Sequence, residues 1–389
     1  LNLAKKTPLW VLGLALLPMG YIMSYTMTGG NLTEELSMPF LMPCLYLFLR
    51  WLIRGGGAHN VRAGFFYGVV FGVMALIRVT NAALIGAILL TVTCGLIFGR
   101  QWKNLLVNAG MFLLGIAAGV LPGILWCRSR GILGEMLSQV FFFGFAYSEE
   151  SGLMSSLSSM GQVRLCLLLP LLPLIPLVLY REKDWRCWLF FAASAATVTL
   201  AAMMGNGYCH YFVLSIPNMV FAAFLFVWEQ GRKAGRKGRT RGAIALCLTA
   251  AVLAAQWPLF RPRALEEVRY AMYCAANKLE DREEYDAVQA IMAKVPAEEP
   301  MYVYGFASCS AVYIQADRLP PIKYCDWQPH YIQLDKEIGR EIESFLSSEN
   351  SHWVVTPVGE IEPESIQSIL EERYTAIFQA GNCRLWEKK

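Results

Sequence analysis

Four places in the chain combine residue types that do chemistry. Glu34 and Glu35 stand side by side in Gly29-Gly30-Asn31-Leu32-Thr33-Glu34-Glu35, directly ahead of an apolar run. Carboxylates there can hold a substrate or a metal, or take up a proton. The plainer alternative is that they only cap a helix, whose N-terminal dipole favours negative charge. Arg78, with Asn81 three residues on, lies in a very short turn between two apolar runs. A guanidinium held at a membrane boundary suits an anionic phosphate, and snorkelling to lipid headgroups is its plainer alternative. The stretch from Cys127 to Arg164 has Arg128 and Arg130 at one end and Phe141, Phe142, Phe143, Phe145 and Tyr147 inside. Such an amphipathic loop lies in the interface plane, either roofing a cavity open to lipid or as a passive interfacial helix. Finally, Gly205-Asn206-Gly207-Tyr208-Cys209-His210-Tyr211 opens another apolar run. His210 there donates to a phosphate, binds a metal, or simply joins an aromatic belt with Tyr208.

The elements that must position these residues are membrane helices. At 56% hydrophobic and 16% charged residues, with a mean hydropathy of +0.40, the chain is too apolar for an ordinary soluble protein. Crossing a hydrocarbon core takes about 20 apolar residues. Nine stretches qualify or nearly so: Pro8–Tyr25, Ser37–Ile53, Ala63–Ile77, Ala82–Phe98, Leu105–Trp126, Leu165–Tyr180, Cys187–Met204, Tyr211–Trp228 and Ala243–Phe260. The third is short, and the sixth carries Pro170, Pro173 and Pro176, which favours a kinked or re-entrant segment. The expected fold is therefore a polytopic α-helical bundle of about nine transmembrane helices over residues 1–260, followed by a soluble α/β domain over 261–389.

Charge sets the expected orientation. Residues 1–260 carry 20 Lys/Arg against 8 Asp/Glu, whereas residues 261–389 carry 14 against 22. The basic residues of the front part occupy every second connection: Lys5/Lys6, Arg54/Arg62, Arg100/Lys103, Arg181/Lys183/Arg186 and the run from Arg232 to Arg241. The positive-inside rule places these in the cytoplasm, and so the acidic tail and the four candidate places on the outer face of a cell membrane. The run from Arg232 sits between two spans and reads as a topology signal, with no nucleic acid implied. Leu1 opens the chain with no charged-then-apolar leader and no small-residue cleavage site, so its start reads either as processed or as preceded by further sequence.

In the tail, Met301–Tyr304, Ile322–Tyr324, His352–Thr356 and Tyr374–Gln379 read as strands, and Leu265–Lys278, Glu283–Lys294, Asp335–Leu346 and Glu364–Glu371 as amphipathic helices. This alternation predicts a mainly parallel sheet. The tail has no Gly-rich phosphate loop and no nucleophile with a base beside it. Cys274, Cys309, Cys325 and Cys383 show no metal-binding spacing, and read as free thiols or as partners in a disulfide.

The pattern Gly207-Tyr208-Cys209-His210-Tyr211-Phe212 with Pro217 resembles the start of a late span in bacterial GT-C membrane glycosyltransferases. Asn31-Leu32-Thr33-Glu34-Glu35 ahead of an apolar run, and Leu76-Ile77-Arg78 ending one, resemble the same group: glycosyltransferase family 39, the protein O-mannosyltransferases and the lipid A aminoarabinose transferase. The resemblance implies transfer of a sugar from a polyprenyl-phosphate donor to a lipid, glycan or protein acceptor at the outer face. It also implies that Arg78 and His210 hold phosphate, with Asn81, Tyr208, Arg128 and Arg130 around the substrate, while Glu34 or Glu35 positions substrate or a divalent metal, the single candidate cofactor. The family's catalytic acidic residue lies in the first outer loop, and no acidic residue precedes Glu34 here. Either that residue lies in sequence upstream of Leu1 or Glu34/Glu35 takes its place.

Two other classes compete. A transporter or flippase for a lipid-linked substrate calls for polar residues inside the spans near the midplane, and a scaffold displaying the tail would need neither Arg78 nor His210.

Overall fold

The computed structural model describes residues 33–142, 184–203, 209–232, 282–306 and 309–389. The expected spans at 8–25, 165–180 and 243–260, the expected helix at 265–278, and Tyr208 lie outside them. The chain divides into two compact units, Leu1–Arg269 and Tyr270–Lys389.

The described part of the first unit is helical. It runs through α1 (Thr33–Ile53), α2 (Val61–Ile77), a 3-10 turn (Val79–Ala82), α3 (Ala83–Phe98), α4 (Trp102–Ser129), a short α5 (Leu133–Leu137), α6 (Trp185–Met203), a second 3-10 turn (Cys209–Ser215) and α7 (Ile216–Arg232). Among the described residues, three segments are long and apolar enough to cross a membrane: Thr33–Ile53, Val79–Phe98 and Trp102–Ser129. The expected spans at 63–77, 187–204 and 211–228 also form apolar helices, but shorter ones. α2 shows why: the Asn60 side chain accepts from the Arg62 N–H at its start, and Arg78 turns extended at its end. Its 17 residues therefore rise only about 25 Å.

Between helices in lipid there is little hydrophobic gain, so close packing has to hold them. α2 and α4 achieve it with glycine. Gly64, Gly68 and Gly72 recur every fourth residue on α2, and Gly115, Gly119 and Gly123 do so on α4. A methyl group built on Gly68 would stand 2.1 Å from the Phe112 carbonyl oxygen, and one on Gly115 would stand 2.1 Å from that of Phe65. The two backbones touch where side chains would otherwise separate them. On the opposite flank, Phe48 of α1, Phe190 of α6 and Phe221 of α7 stack with ring centroids 4.4–6.2 Å apart.

The connections sort by end. At one end, the loop after α1 is fixed from three sides. Trp51 Nε1 donates to the Gly57 carbonyl, Arg186 Nη1 donates to that of Gly55, and Asn104 and Asn108 of α4 both donate to that of His59. Arg54, Arg62, Arg100, Lys103 and Arg186 thus share this end, as the alternation of basic loops predicts. Glu34, Arg78, Asn81 and His210 lie at the other.

The second unit comprises α8 (Arg282–Met292), β1 (Met301–Val303), α9 (Cys309–Ala316), α10 (Gln328–Leu334), α11 (Lys336–Ser347), β2 (Trp353–Pro357), α12 (Glu364–Arg373), β3 (Tyr374–Ala380) and β4 (Cys383–Lys388). The sheet order is β1-β2-β4-β3. Only β1 and β2 pair in parallel, while β2–β4 and β3–β4 are antiparallel, so the expected mainly parallel sheet is corrected to a mixed one. The cause is the hairpin at Gly381-Asn382, with Gly381 at φ +51°, a two-residue turn that returns the chain beside β3.

Ile322–Tyr324 is also corrected, because it forms no strand. The free edge of β1 is already satisfied by side chains. Tyr313 Oη accepts the Val303 N–H at 2.8 Å, and Gln328 Nε2 donates to the Val303 carbonyl at 2.9 Å. Val303, Val355, Leu385, Val288 and Ile291 form the core under the sheet. Among the described cysteines here, Cys309 is a buried free thiol, Cys383 is buried and Cys325 is half-buried; Cys274 lies outside the described residues.

Candidate functional site

The site is assembled at the ends of antiparallel helices. α1 begins where α2 stops, so the first turn of α1 faces the turn that leaves α2. Arg78 Nη1 donates to Glu34 Oε1 at 2.9 Å, across 44 positions of sequence. The Glu34 side chain is only 2% exposed, whereas that of Arg78 is 27% exposed. A buried carboxylate is thus neutralised by a guanidinium that still reaches solvent. Thr33 Oγ1 donates to the other Glu34 oxygen at 3.1 Å. The Arg78 guanidinium also lies 4.0 Å above the centre of the Tyr211 ring, which holds its plane. Beside it, Asn81 Nδ2 donates to Ser37 Oγ at 2.9 Å, and Ser37 Oγ donates to the Thr33 carbonyl.

His210 packs edge-on to Tyr211, with ring centres 4.3 Å apart. It stands just ahead of the span expected from Tyr211. Burial lowers its pKa, opposed by the charge of Glu34 and then Glu35 and reinforced by that of Arg78. The neutral imidazole, with one N–H to donate, is therefore the favoured form near neutral pH. Two acceptors in this cluster are buried without a hydrogen-bond partner: Glu35 Oε1 and Asn81 Oδ1. Orphaned acceptors of this kind are what a hydroxyl-bearing ligand would satisfy.

Of the residues singled out in the sequence, the structure thus brings together Glu34, Glu35, Arg78, Asn81 and His210. Tyr208 lies outside the described residues. Arg128 and Arg130 sit exposed at the far end of α4, where Arg130 lies 6.0 Å over its own neighbour Trp126. No described contact joins either to the cluster. Among the described residues, no group of three or more His, Cys, Asp and Glu is placed to hold a metal ion.

Sequence reasoning missed Tyr211 as the platform for Arg78. It also missed Ser194 on α6 and Asn218 on α7, both fully buried, with Ser194 Oγ and both amide atoms of Asn218 unpartnered. A polar residue inside an apolar run was the available signal. No family model matches the chain, and neither the curated proteins nor the solved structures contain a match to it.

Proposed function

We propose that the bundle transfers a sugar from a polyprenyl-phosphate donor to an acceptor hydroxyl on the outer face of a cell membrane, as a GT-C type glycosyltransferase. One observation carries this reading: a carboxylate pair, an arginine, an asparagine and a histidine from three separate regions converge at the end of the bundle away from the basic loops. Glu34 orients Arg78, whose remaining N–H groups and exposed edge suit a phosphate. His210 donates a second hydrogen bond to the same group.

In the transfer step the acceptor oxygen bonds to the anomeric carbon while the bond from that carbon to the phosphate oxygen breaks. The electron pair leaves with the phosphate, and Arg78 and His210 stabilise the charge that develops there. The acceptor's proton passes to Glu35, the carboxylate with an unpartnered oxygen. Asn81 Oδ1 accepts from a sugar hydroxyl.

The test is release of polyprenyl phosphate from labelled polyprenyl-phosphate sugars by the purified full-length protein. Glu35→Gln keeps the shape and removes the base, so release should fall by about a hundredfold or more with an unchanged unfolding midpoint. A Glu35→Gln protein that releases product at the original rate would remove Glu35 from this role. A second reading, movement of a lipid-linked substrate without transfer, draws support from the unpartnered Ser194 and Asn218 inside the helices. It predicts no release from any donor.

A further inference from the structure

At the opposite end of the bundle, the last turn of α1 and the first turn of α2 border a cavity of about 520 Å³. This is within the roughly 300–1,000 Å³ of small-ligand sites. Arg50, Arg54 and Arg62 line it, and no Asp or Glu does. None of the three arginines has an ion pair or side-chain hydrogen bond among the described residues. Their neighbour Arg186 shows the contrast, since both its Nε and Nη2 donate to Asp184. Arg62 also stands in the first turn of α2, where the helix dipole is already positive and no acidic residue offsets it. Three guanidiniums and a helix start therefore share one hollow with nothing among the described residues to neutralise them.

The hollow is a fixed shape, because the loop that rims it is tied down by Trp51, Arg186, Asn104 and Asn108 as described above. One turn deeper along each helix its wall becomes apolar, with Leu47 on α1 and Phe66 on α2. We infer that this cavity binds the headgroup of an anionic phospholipid, its phosphate among Arg50, Arg54 and Arg62 and the start of its chains against Leu47 and Phe66. A basic pocket between membrane helices at the cytoplasmic surface has the charge and the level for such a ligand. The inference requires the bundle to sit in a bilayer but does not require sugar transfer, so the two assays fail independently.

The experiment is native mass spectrometry of the purified full-length protein with phosphatidylglycerol and, separately, phosphatidylcholine. Phosphatidylglycerol should bind more tightly. Arg54→Gln with Arg62→Gln should weaken it by about fivefold per arginine and leave phosphatidylcholine unaffected. Arg100→Gln with Lys103→Gln removes the same charge from the same end but outside the cavity, and should change binding less than twofold by this reasoning. As a second measurement, added phosphatidylglycerol should raise the thermal midpoint of the unmodified protein but not of the Arg54/Arg62 variant. Equal losses in the two double variants would mean diffuse surface attraction and overturn the site. Displacement of the lipid by inorganic phosphate would assign the cavity to a free anion and overturn the lipid assignment.

Discussion

Arg78 neutralises a buried carboxylate and, on the proposed function, also contacts substrate; the two roles respond differently to substitution. Arg78→Ala leaves the Glu34 carboxylate 2% exposed and unpaired, which costs about 3–5 kcal/mol when a buried pair is broken from one side. The thermal midpoint in detergent should fall accordingly. Adding Glu34→Gln to Arg78→Ala removes the orphaned charge and should recover much of the midpoint while transfer stays lost. An Arg78→Ala protein as stable as the original would show that the ion pair carries no structural weight. At this scale the sequence was informative about residue type and silent about partnership. Glu34, Arg78 and Asn81 stood out because polar groups at the ends of apolar runs are expensive, but nothing in their spacing ties position 34 to position 78. Arg128 and Arg130 stand out for the same reason, and no contact among the described residues joins them to the cluster; an arginine that snorkels and one that binds look alike in sequence.

At the scale of elements, the contact between α2 and α4 depends on having no side chains where the backbones meet. Gly68→Leu must displace the Phe112 carbonyl and the Gly115 backbone, neither of which can rotate away. Overpacking of this kind costs about 1–3 kcal/mol or more. Gly110 lies on the same helix as Gly115 with nothing within 4 Å of an added methyl. Gly110→Ala should therefore be neutral or stabilising by up to about 1 kcal/mol. Unfolding midpoints of the two variants in one detergent check the contrast, and equal effects would mean that the glycines are not what brings the helices together. The every-fourth-residue glycines were visible in the sequence, but apolarity alone identifies a helix without saying which face meets which neighbour. In the tail the same limit applied to strands. β1, β2 and β3 were legible from their β-branched and aromatic residues, whereas Ile322–Tyr324 has that composition too. It is excluded from the sheet because Tyr313 and Gln328, from elements not evident in the sequence, already occupy the edge it would have joined.

For the whole molecule, the gathering of Arg54, Arg62, Arg100, Lys103 and Arg186 at one end of the bundle is the property most directly legible in sequence. It follows from counting basic residues in alternate connections, with no knowledge of packing. Which side of the membrane that end faces is a separate matter, and the positive-inside rule assigns it to the cytoplasm. The basic run around Gly235 should then be cytoplasmic and the tail outside. Cysteine accessibility in intact cells tests this directly. Glu360→Cys places a thiol at an exposed position of the tail, and Gly235→Cys places one in the basic run. Among the described thiols of the tail, burial pushes Cys309 up to about 11 and raises Cys325 as well, and the thiolate is the reactive form. Read against the unmodified protein, an impermeant maleimide should label the Glu360→Cys protein in intact cells and the Gly235→Cys protein only after lysis. Labelling of position 235 alone in intact cells would invert the orientation. The Glu34–Arg78–His210 cluster would then face the cytoplasm, where transfer to an outer-face acceptor is impossible, and the cavity lined by Arg50, Arg54 and Arg62 would face the outer leaflet.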